Sequence, residues 1–199
     1  MKLDFEKGGG LLPAIVQDAE SGVVLMLGYM NREALEKTEA ERRVTFWSRS
    51  KGRLWTKGES SGNFLEVCEI LADCDGDTIL IKAKPCGVVC HNGTDTCFAE
   101  RNFSVAGLLA YLERIVKERR KSAPDESYTA RLLAGGINAT AQKVGEEAVE
   151  LVIAAKDDDD QRFLDEAADL LFHYIVLLEA RGKSLAQVAE VLRSRKKAA

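Results

Sequence analysis

The sequence changes character near residue 103, and this change constrains the fold more than any other feature. Before it, short apolar runs rich in Val, Ile, Thr and aromatic residues are separated by glycine and polar turn residues, a pattern that predicts β-strands. These runs are VTFWS (44–48), NFLEVCEI (63–70) and DTILIKA (77–83). One helix interrupts them, beginning at the N-cap Asn31 and continuing through residues 32–41.

After residue 103 the pattern becomes helical. The predicted helices cover 108–119, 127–136, 141–156, 163–181 and 184–197. Ser127 and Ser184 are candidate N-caps, Gly182 is a candidate C-terminal stop, and the polar run 157–161 connects two helices. We therefore predict a β-rich (α+β) domain of residues 1–103 followed by an all-α helical bundle of residues 104–199.

Composition excludes several classes of protein. The 28 basic and 32 acidic side chains give a net charge of −4, so no broad positive field is available for a nucleic acid or an anionic membrane. No apolar run is long enough to span a bilayer, and the N-terminus lacks the apolar run of a secretory signal. We therefore expect a cytoplasmic protein whose five cysteines are reduced, as metal ligands, buried thiols or a nucleophile.

The densest chemistry lies in residues 73–98. Asp73, Asp75 and Asp77 alternate along the chain, so an extended segment would place these hard oxygen ligands on one face and Cys74 on the other, which would serve two different metals. The alternative is a solvated turn between strands. A calcium-binding EF-hand loop is excluded, because Thr78 and Lys84 occupy the positions of its Gly and its bidentate Glu.

The cysteines of this region are Cys74, Cys86, Cys90 and Cys97. The CxxC pairs of a closed structural zinc site are absent, whereas three thiolates with an open fourth position suit a catalytic zinc. The alternative is that these thiols are small buried apolar groups.

Residues 47–63 predict a hairpin around Gly52, in which Trp47 and Trp55 lie among Arg and Lys side chains. Cations on alternate strand positions could clamp a phosphate while an indole stacks on a base. Arg49 and Lys57 are therefore candidate phosphate-binding residues; the alternative is a solvated charged hairpin with its tryptophans in the core.

In the helical half, two helices each carry carboxylates within otherwise apolar surroundings. Glu146, Glu147 and Glu150 share one arc of the first helix, and Glu166, Asp169 and His173 share a stripe of the second. Buried carboxylates need cations, and Mg²⁺ bound by carboxylates and substrate phosphates would satisfy them. The alternative is an exposed acidic face. Lys143 either neutralises phosphate or pairs with Glu147 at i+4.

The segment DCDGDTILIKAKPCGVVCHNGTDTCF (73–98), together with 47–63 and LMLGYMNREAL (25–35), resembles phosphoribosyl-AMP cyclohydrolase of histidine biosynthesis. The resemblance implies that Cys74, Cys90 and Cys97 bind Zn²⁺, with Cys74 contributed across a homodimer interface, and that Asp73, Asp75 and Asp77 bind Mg²⁺. It implies hydrolytic opening of an adenine ring, and His91 is the candidate proton carrier. Cys68 and Cys86 lie outside the motif and are interpreted as structural.

The segments SYTARLL (127–133), KVGEEAVELV (143–152) and EAADLLFHYIVLL (166–178) are similar to phosphoribosyl-ATP pyrophosphatase. The resemblance implies that Glu147, Glu150, Glu166 and Asp169 bind Mg²⁺, and Glu146 is a candidate base that orients water. Ala139 and Thr140 depart from the pattern, which has a basic and then an apolar residue at this point.

The order of the two resemblances implies a bifunctional hydrolase that acts on a small nucleotide, in which chain order is the reverse of reaction order. Two alternatives are a nucleotide deaminase fused to a housekeeping nucleotide pyrophosphohydrolase, and a non-enzymatic nucleotide-binding adapter stabilised by zinc. An adapter predicts a zinc site closed by four protein ligands, whereas catalysis needs an open position.

Overall fold

A computed structural model describes residues 2–196 and divides the chain into one compact unit that ends at Leu108 and another that begins at Leu109. Met1 and residues 197–199, which the predicted domains and the last predicted helix include, lie outside the described residues. No helix among the described residues is long and apolar enough to cross a membrane.

The first unit contains a four-stranded sheet and a separate two-stranded hairpin. The elements are β1 (Leu12–Asp18), β2 (Val24–Met30), α1 (Arg32–Glu41), β3 (Thr45–Ser48), β4 (Arg53–Thr56), β5 (Leu65–Ala72) and β6 (Ile79–Pro85). The large sheet has the order β2-β1-β6-β5, with β1 and β6 parallel and the other neighbours antiparallel. The predicted strands of this half therefore exist, and β3 and β4 form the predicted hairpin around Gly52.

Local sequence explains several of these elements. Asn31 caps α1, as predicted, because its side chain accepts a hydrogen bond of 2.8 Å from the amide of Ala34. Alternate residues of β1 are buried, which places Leu12, Ala14 and Val16 in the core. β1 and β2 were not predicted, because β1 contains a proline and β2 is rich in Leu and Met rather than in β-branched residues.

The segment between β5 and β6 differs from the extended geometry that we considered for the aspartates. Residues 73–78 form a tight turn closed by a 3.1 Å hydrogen bond from the Asp73 amide to the Thr78 carbonyl. The extended interpretation is wrong, because the antiparallel pairing of β5 with β6 forces the chain to reverse here. The turn was the alternative.

The second unit is helical, as predicted. Its helices are α2 (Val105–Arg119, which begins in the first unit), α3 (Tyr128–Ala134), α4 (Gly136–Ala154), α5 (Asp160–Ala180) and α6 (Leu185–Lys196). Ser127 caps α3 through a 3.3 Å hydrogen bond from the Ala130 amide, and Gly182 follows α5 with a φ of 62°. α4 packs along α5, and Val116, Ile175 and Val176 form the buried core.

Candidate functional site

A cavity of about 480 Å³ lies in the first unit between the end of the β3–β4 hairpin and the loop after β6. The predicted residues Lys57, Cys90, His91 and Cys97 all line it. Trp55 forms part of its wall and stacks on the buried Phe46, with 5.8 Å between ring centroids. The fold thus brings thiols, an imidazole, an ammonium group and an indole to one cavity.

The two thiols of this cavity are electrostatically coupled. The pKa of Cys90 is lowered, mainly because the Asn92 amide donates to its sulfur, and the Thr94 side chain adds to the effect. The pKa of Cys97 is raised, mainly by burial and then by the neighbouring Cys90. His91 Nδ1 lies 3.8 Å from Cys90 Sγ. Cys90 therefore ionises more readily than Cys97 to the thiolate, which is the form in which cysteine binds metals.

Lys57 is a buried cation that lines the same cavity as these thiols. Its residue is 7% exposed, and its Nζ donates to the Asn63 carbonyl at 3.3 Å. Burial lowers its pKa, an effect that the negative charges of Cys97 and Cys90 oppose. The chain can pass so close here because Gly58 has a φ of +93° and a Cβ on it would lie 2.6 Å from the Asn63 backbone. An anion entering the cavity would meet a desolvated ammonium group.

Arg49 occupies a different position from Lys57. Its guanidinium lies 3.8 Å from the centroid of the Tyr29 ring, and Arg49 does not line the cavity that holds the thiols. The two residues predicted to bind phosphate therefore do not line the same cavity.

The carboxylates of Asp73, Asp75 and Asp77 converge within the turn, with one oxygen of each within 4.8 Å of the others. Asp73 Oδ1 accepts hydrogen bonds from the amides of Asp77 and Thr78, at 3.0 and 3.1 Å. Lys7 Nζ lies 2.8 Å from Asp75 and 3.8 Å from Asp77, and this contact lowers the pKa of the Asp75 carboxyl. A cation is therefore already paired with these oxygens.

Cys74 lies on the same turn and is exposed in a second cavity, of about 540 Å³, with Arg32 and the N-terminal residues 2–6. Within residues 2–196, three or more metal-ligating atoms approach within 4.8 Å of one another at two places, and neither includes a thiol. The structure therefore does not bring Cys74 to Cys90 and Cys97 within one chain. None of the four thiols of residues 73–98 is fully buried, so the alternative that they are small buried apolar groups is wrong. Cys68, which was interpreted with Cys86 as structural, is also exposed.

The second metal-ligating group consists of Glu147, Glu150 and Glu166. Glu147 is 5% exposed, and the pKa of Glu166 is raised by burial and then by the charge of Glu150. The carboxylate of Asp169 is not part of the group; the carbonyl of Asp169 instead lies 2.9 Å from His173 Nδ1. Helices α4 and α5 thus bring together three of the four predicted ligands.

Lys143 bridges two acids of α4. Its Nζ lies 2.9 Å from Glu146 and 2.8 Å from Glu147, and these contacts raise the pKa of Lys143 and lower that of Glu146. The i+4 pairing considered for Lys143 is therefore present.

Comparisons with known proteins agree with the order of a strand-rich region followed by a helical region. Residues 26–99 match the family model of phosphoribosyl-AMP cyclohydrolase, and residues 109–196 match that of phosphoribosyl-ATP pyrophosphohydrolase. The histidine biosynthesis bifunctional protein HisIE of Bacteroides thetaiotaomicron is 53% identical over 98% of this chain and 96% of the relative. That of Escherichia coli K12 is 52% identical over 98% and 95%, and that of Xylella fastidiosa Temecula1 is 53% identical over 97% and 92%. The chain belongs to this bifunctional family.

Membership confirms both family resemblances and their order along the chain, and it confirms the prediction of a bifunctional hydrolase that acts on small-molecule nucleotides. The strand-rich region carries the cyclohydrolase match, and the helical region carries the pyrophosphohydrolase match.

Sequence reasoning missed two side chains that the structure places at these groups. Lys7 reaches Asp75 from 68 residues away, and no local pattern indicates such a contact. Tyr128 directly follows the predicted cap Ser127, and its hydroxyl lies 3.0 Å from His173 Nε2. His173 itself was found on the acidic stripe, but nothing in the stripe pointed to its tyrosine partner.

Proposed function

We propose that the domain of residues 104–199 cleaves phosphoribosyl-ATP to phosphoribosyl-AMP and pyrophosphate, and that the domain of residues 1–103 then opens the N1–C6 bond of the adenine ring. The observation that carries this assignment is the separation of ligand types. Thiols line a cavity within the cyclohydrolase match, whereas a carboxylate group lies within the pyrophosphohydrolase match. Soft and hard ligands favour different metals.

We propose Zn²⁺ as the metal of the thiol cavity, with Cys90 and Cys97 of one chain and Cys74 of a second chain as ligands. The donor set fits, because the lowered pKa of Cys90 favours thiolate and Cys74 is exposed where another copy could use it. When bound, zinc would supply a water molecule with a pKa of about 7. Since these thiolates must stay reduced, the proposal places the protein in the cytoplasm.

The remaining side chains of the thiol cavity receive roles from their positions. His91 lines the cavity beside Cys90 and is proposed to carry the proton that ring opening transfers. Lys57 is proposed to bind the substrate phosphate, because a desolvated ammonium group attracts an anion strongly. Arg49 is proposed as a second phosphate contact, because a guanidinium held over the Tyr29 ring keeps N–H donors at its edge.

We propose Mg²⁺ at Asp73, Asp75 and Asp77 and at Glu147, Glu150, Glu166 and Asp169. The aspartates fit a hard cation because their carboxylate oxygens converge within 4.8 Å of one another, and Lys7 already occupies this position as a competing cation. The glutamates fit because burial and then the charge of Glu150 raise the pKa of Glu166, and a divalent cation would stabilise the charged carboxylates. Asp169 would have to turn its carboxylate toward the group to join it.

Glu146 and Lys143 are proposed to act on water and phosphate beside the glutamates. Lys143 lowers the pKa of Glu146, so Glu146 suits the orientation of water better than the removal of a proton. Lys143 neutralises Glu146 and Glu147 in the structure, and a phosphate would compete for its ammonium group.

Two substitutions test the division of labour. Cys97→Ala should abolish ring opening and leave pyrophosphate release unchanged, and Glu150→Ala should do the reverse. Phosphoribosyl-ATP is supplied to follow pyrophosphate release, and phosphoribosyl-AMP is supplied separately to follow ring opening and ammonia, with Mg²⁺ and Zn²⁺ present in both assays. Loss of both activities in either folded variant would contradict the assignment, and ammonia release would support a deaminase instead.

The shared zinc site is tested by mixing two inactive variants. Cys74→Ala and Cys97→Ala should each abolish ring opening alone. If Cys74 serves the partner's site, then unfolding and refolding them together should restore about a quarter of the activity, because half of the dimers are mixed and each mixed dimer has one intact site. No recovery in a mixture that forms dimers would refute the shared site.

A further inference from the structure

The strongest unassigned arrangement surrounds His173, a buried histidine of α5 that is 6% exposed. Its Nδ1 lies 2.9 Å from the Asp169 carbonyl, and its Nε2 lies 3.0 Å from the Tyr128 hydroxyl. A carbonyl oxygen can only accept, so we assign the ring proton to Nδ1. In the neutral ring Nε2 then accepts from the Tyr128 hydroxyl, and both nitrogens are engaged.

The same imidazole faces Glu147, the most buried carboxylate of the glutamate group. His173 Nδ1 lies 3.7 Å from Glu147 Oε1, and Lys143 Nζ lies 2.8 Å from the same oxygen. The ammonium donates directly to Oε1, whereas the Nδ1 hydrogen of the ring is donated to the Asp169 carbonyl, so that only the positive edge of the ring faces Oε1. These contacts hold one oxygen of the carboxylate and leave Oε2 as the oxygen for a further ligand.

We infer that Tyr128, His173 and Lys143 are positioning residues that fix Glu147 by Oε1, so that Oε2 is presented to a divalent cation shared with Glu150 and Glu166. This inference rests on the proposed magnesium site. Tyr128 acts through His173, because its hydroxyl donates to Nε2 and holds the ring in the orientation that keeps its Nδ1 edge facing Glu147. Residues that orient a metal ligand in this way typically change metal affinity by about 10- to 100-fold when replaced.

Two substitutions of His173 separate its nitrogens. The amide of Asn can place an N–H near the position of Nδ1, whereas the longer amide of Gln reaches the position of Nε2. We expect His173→Gln to weaken Mg²⁺ binding by about 10- to 100-fold and His173→Asn to stay within about threefold of the parent. Equal losses in both variants would assign the effect to packing around a buried ring and would overturn the role of Nδ1.

Binding of Mg²⁺ alone is measured by calorimetric titration of the full chain with Asp73, Asp75 and Asp77 replaced by Asn, so that the glutamate group is the remaining proposed magnesium site. Circular dichroism checks the fold of each variant. Glu150→Gln tests the metal site itself: if it leaves Mg²⁺ binding unchanged, the proposed site is wrong. If it abolishes binding while His173→Gln binds as the parent does, the site stands and the positioning role is refuted.

Tyr128→Phe removes the hydroxyl and should also weaken Mg²⁺ binding. Its matched control is Tyr111→Phe on α2, where the ring keeps its contact with Arg114. In chains with intact aspartates, the Mg²⁺ concentration for half-maximal pyrophosphate release should rise for Tyr128→Phe in proportion to the loss of affinity. The maximal rate should return at saturating Mg²⁺, and a lowered maximal rate with unchanged affinity would refute the positioning role.

Discussion

Gly28 on β2 tests how the core supports the thiol cavity. A Cβ at this position would lie 2.3 and 2.5 Å from two atoms of the Phe46 ring. Carbon atoms in contact lie about 3.5 to 4.0 Å apart, so the Phe46 ring would have to move by at least about 1 Å. Phe46 is 2% exposed and stacks on Trp55, which lines the cavity with Lys57 and both thiols.

We expect Gly28→Ala to destabilise the first unit by about 2 kcal/mol. Overpacking a core costs about 1–3 kcal/mol, and the steep overlap places this site near the upper end. Replacing glycine by alanine in a strand returns about 0.5–1 kcal/mol of backbone entropy. For a unit of this size, 2 kcal/mol corresponds to a fall in melting temperature of roughly 10 °C.

The assay is urea and thermal denaturation together with measurement of both activities. At temperatures at which the parent is folded, the rate of ring opening should be lower in Gly28→Ala than in the parent, because Trp55 is displaced. The rate of pyrophosphate release should stay unchanged. The control is Gly145→Ala on α4, where the new Cβ would meet no atom within 4 Å beyond its chain neighbours and the backbone of its own helix. This change should stabilise the second unit by about 0.5–1 kcal/mol. An unchanged melting temperature and ring-opening rate in Gly28→Ala would refute the packing argument.

Three further substitutions have defined outcomes. Lys57→Met should raise the KM for phosphoribosyl-AMP. Because burial lowers the pKa of Lys57, the unfolded chain binds more protons at this side chain than the folded chain does. In urea denaturation, the parent should therefore gain stability relative to Lys57→Met as the pH rises toward 10.5. Lys7→Met should tighten Mg²⁺ binding at the aspartates by about twofold in a calorimetric titration, since an exposed ion pair competes only weakly. Ser127→Ala should lower the stability of the second unit by about 1 kcal/mol, because it removes the cap of α3, and an unchanged melting curve would show that the cap contributes nothing.

The parts of the fold that the sequence predicted depend on local chemistry. Asn31 and Ser127 cap the helices for which they were proposed, and the hairpin around Gly52 follows from alternating apolar residues beside a turn glycine. The predicted start of one helix was wrong: α4 begins at Gly136 and not at residue 141. Gly136 adopts a φ of +76°, which lets the chain turn directly from α3 into α4.

Contacts between distant segments escaped prediction for a physical reason. The strand β1 pairs with β6 across more than 60 residues, and the aspartate turn that follows β5 is met by Lys7 from the N-terminal segment. The hydrophobic periodicity of a sequence predicts which face of a helix or strand is buried, but it does not predict which other segment packs on that face. The sequence therefore identified Asp75 as a ligand candidate without its lysine.

Of the three proposed metal sites, the magnesium site of the glutamates and the zinc site of the thiols differ most in how the chain assembles their ligands. Helical spacing places Glu147 and Glu150 on one face of α4, and the neighbouring α5 adds Glu166, so regular helices suffice to gather three carboxylates within one chain. The thiol cavity instead draws Cys90 and Cys97 from an irregular loop, while Cys74 lies on another turn, in a different cavity. On the proposed assignment, ring opening therefore requires a second copy to supply a zinc ligand, whereas the magnesium ligands for pyrophosphate release come from one helix pair. The sequence could reveal the helical site by its spacing, because the helix itself assembles the ligands. For the thiols, spacing offered only candidate cysteines, and the choice of Cys74, Cys90 and Cys97 and of a second chain came from the resemblance to the cyclohydrolase family.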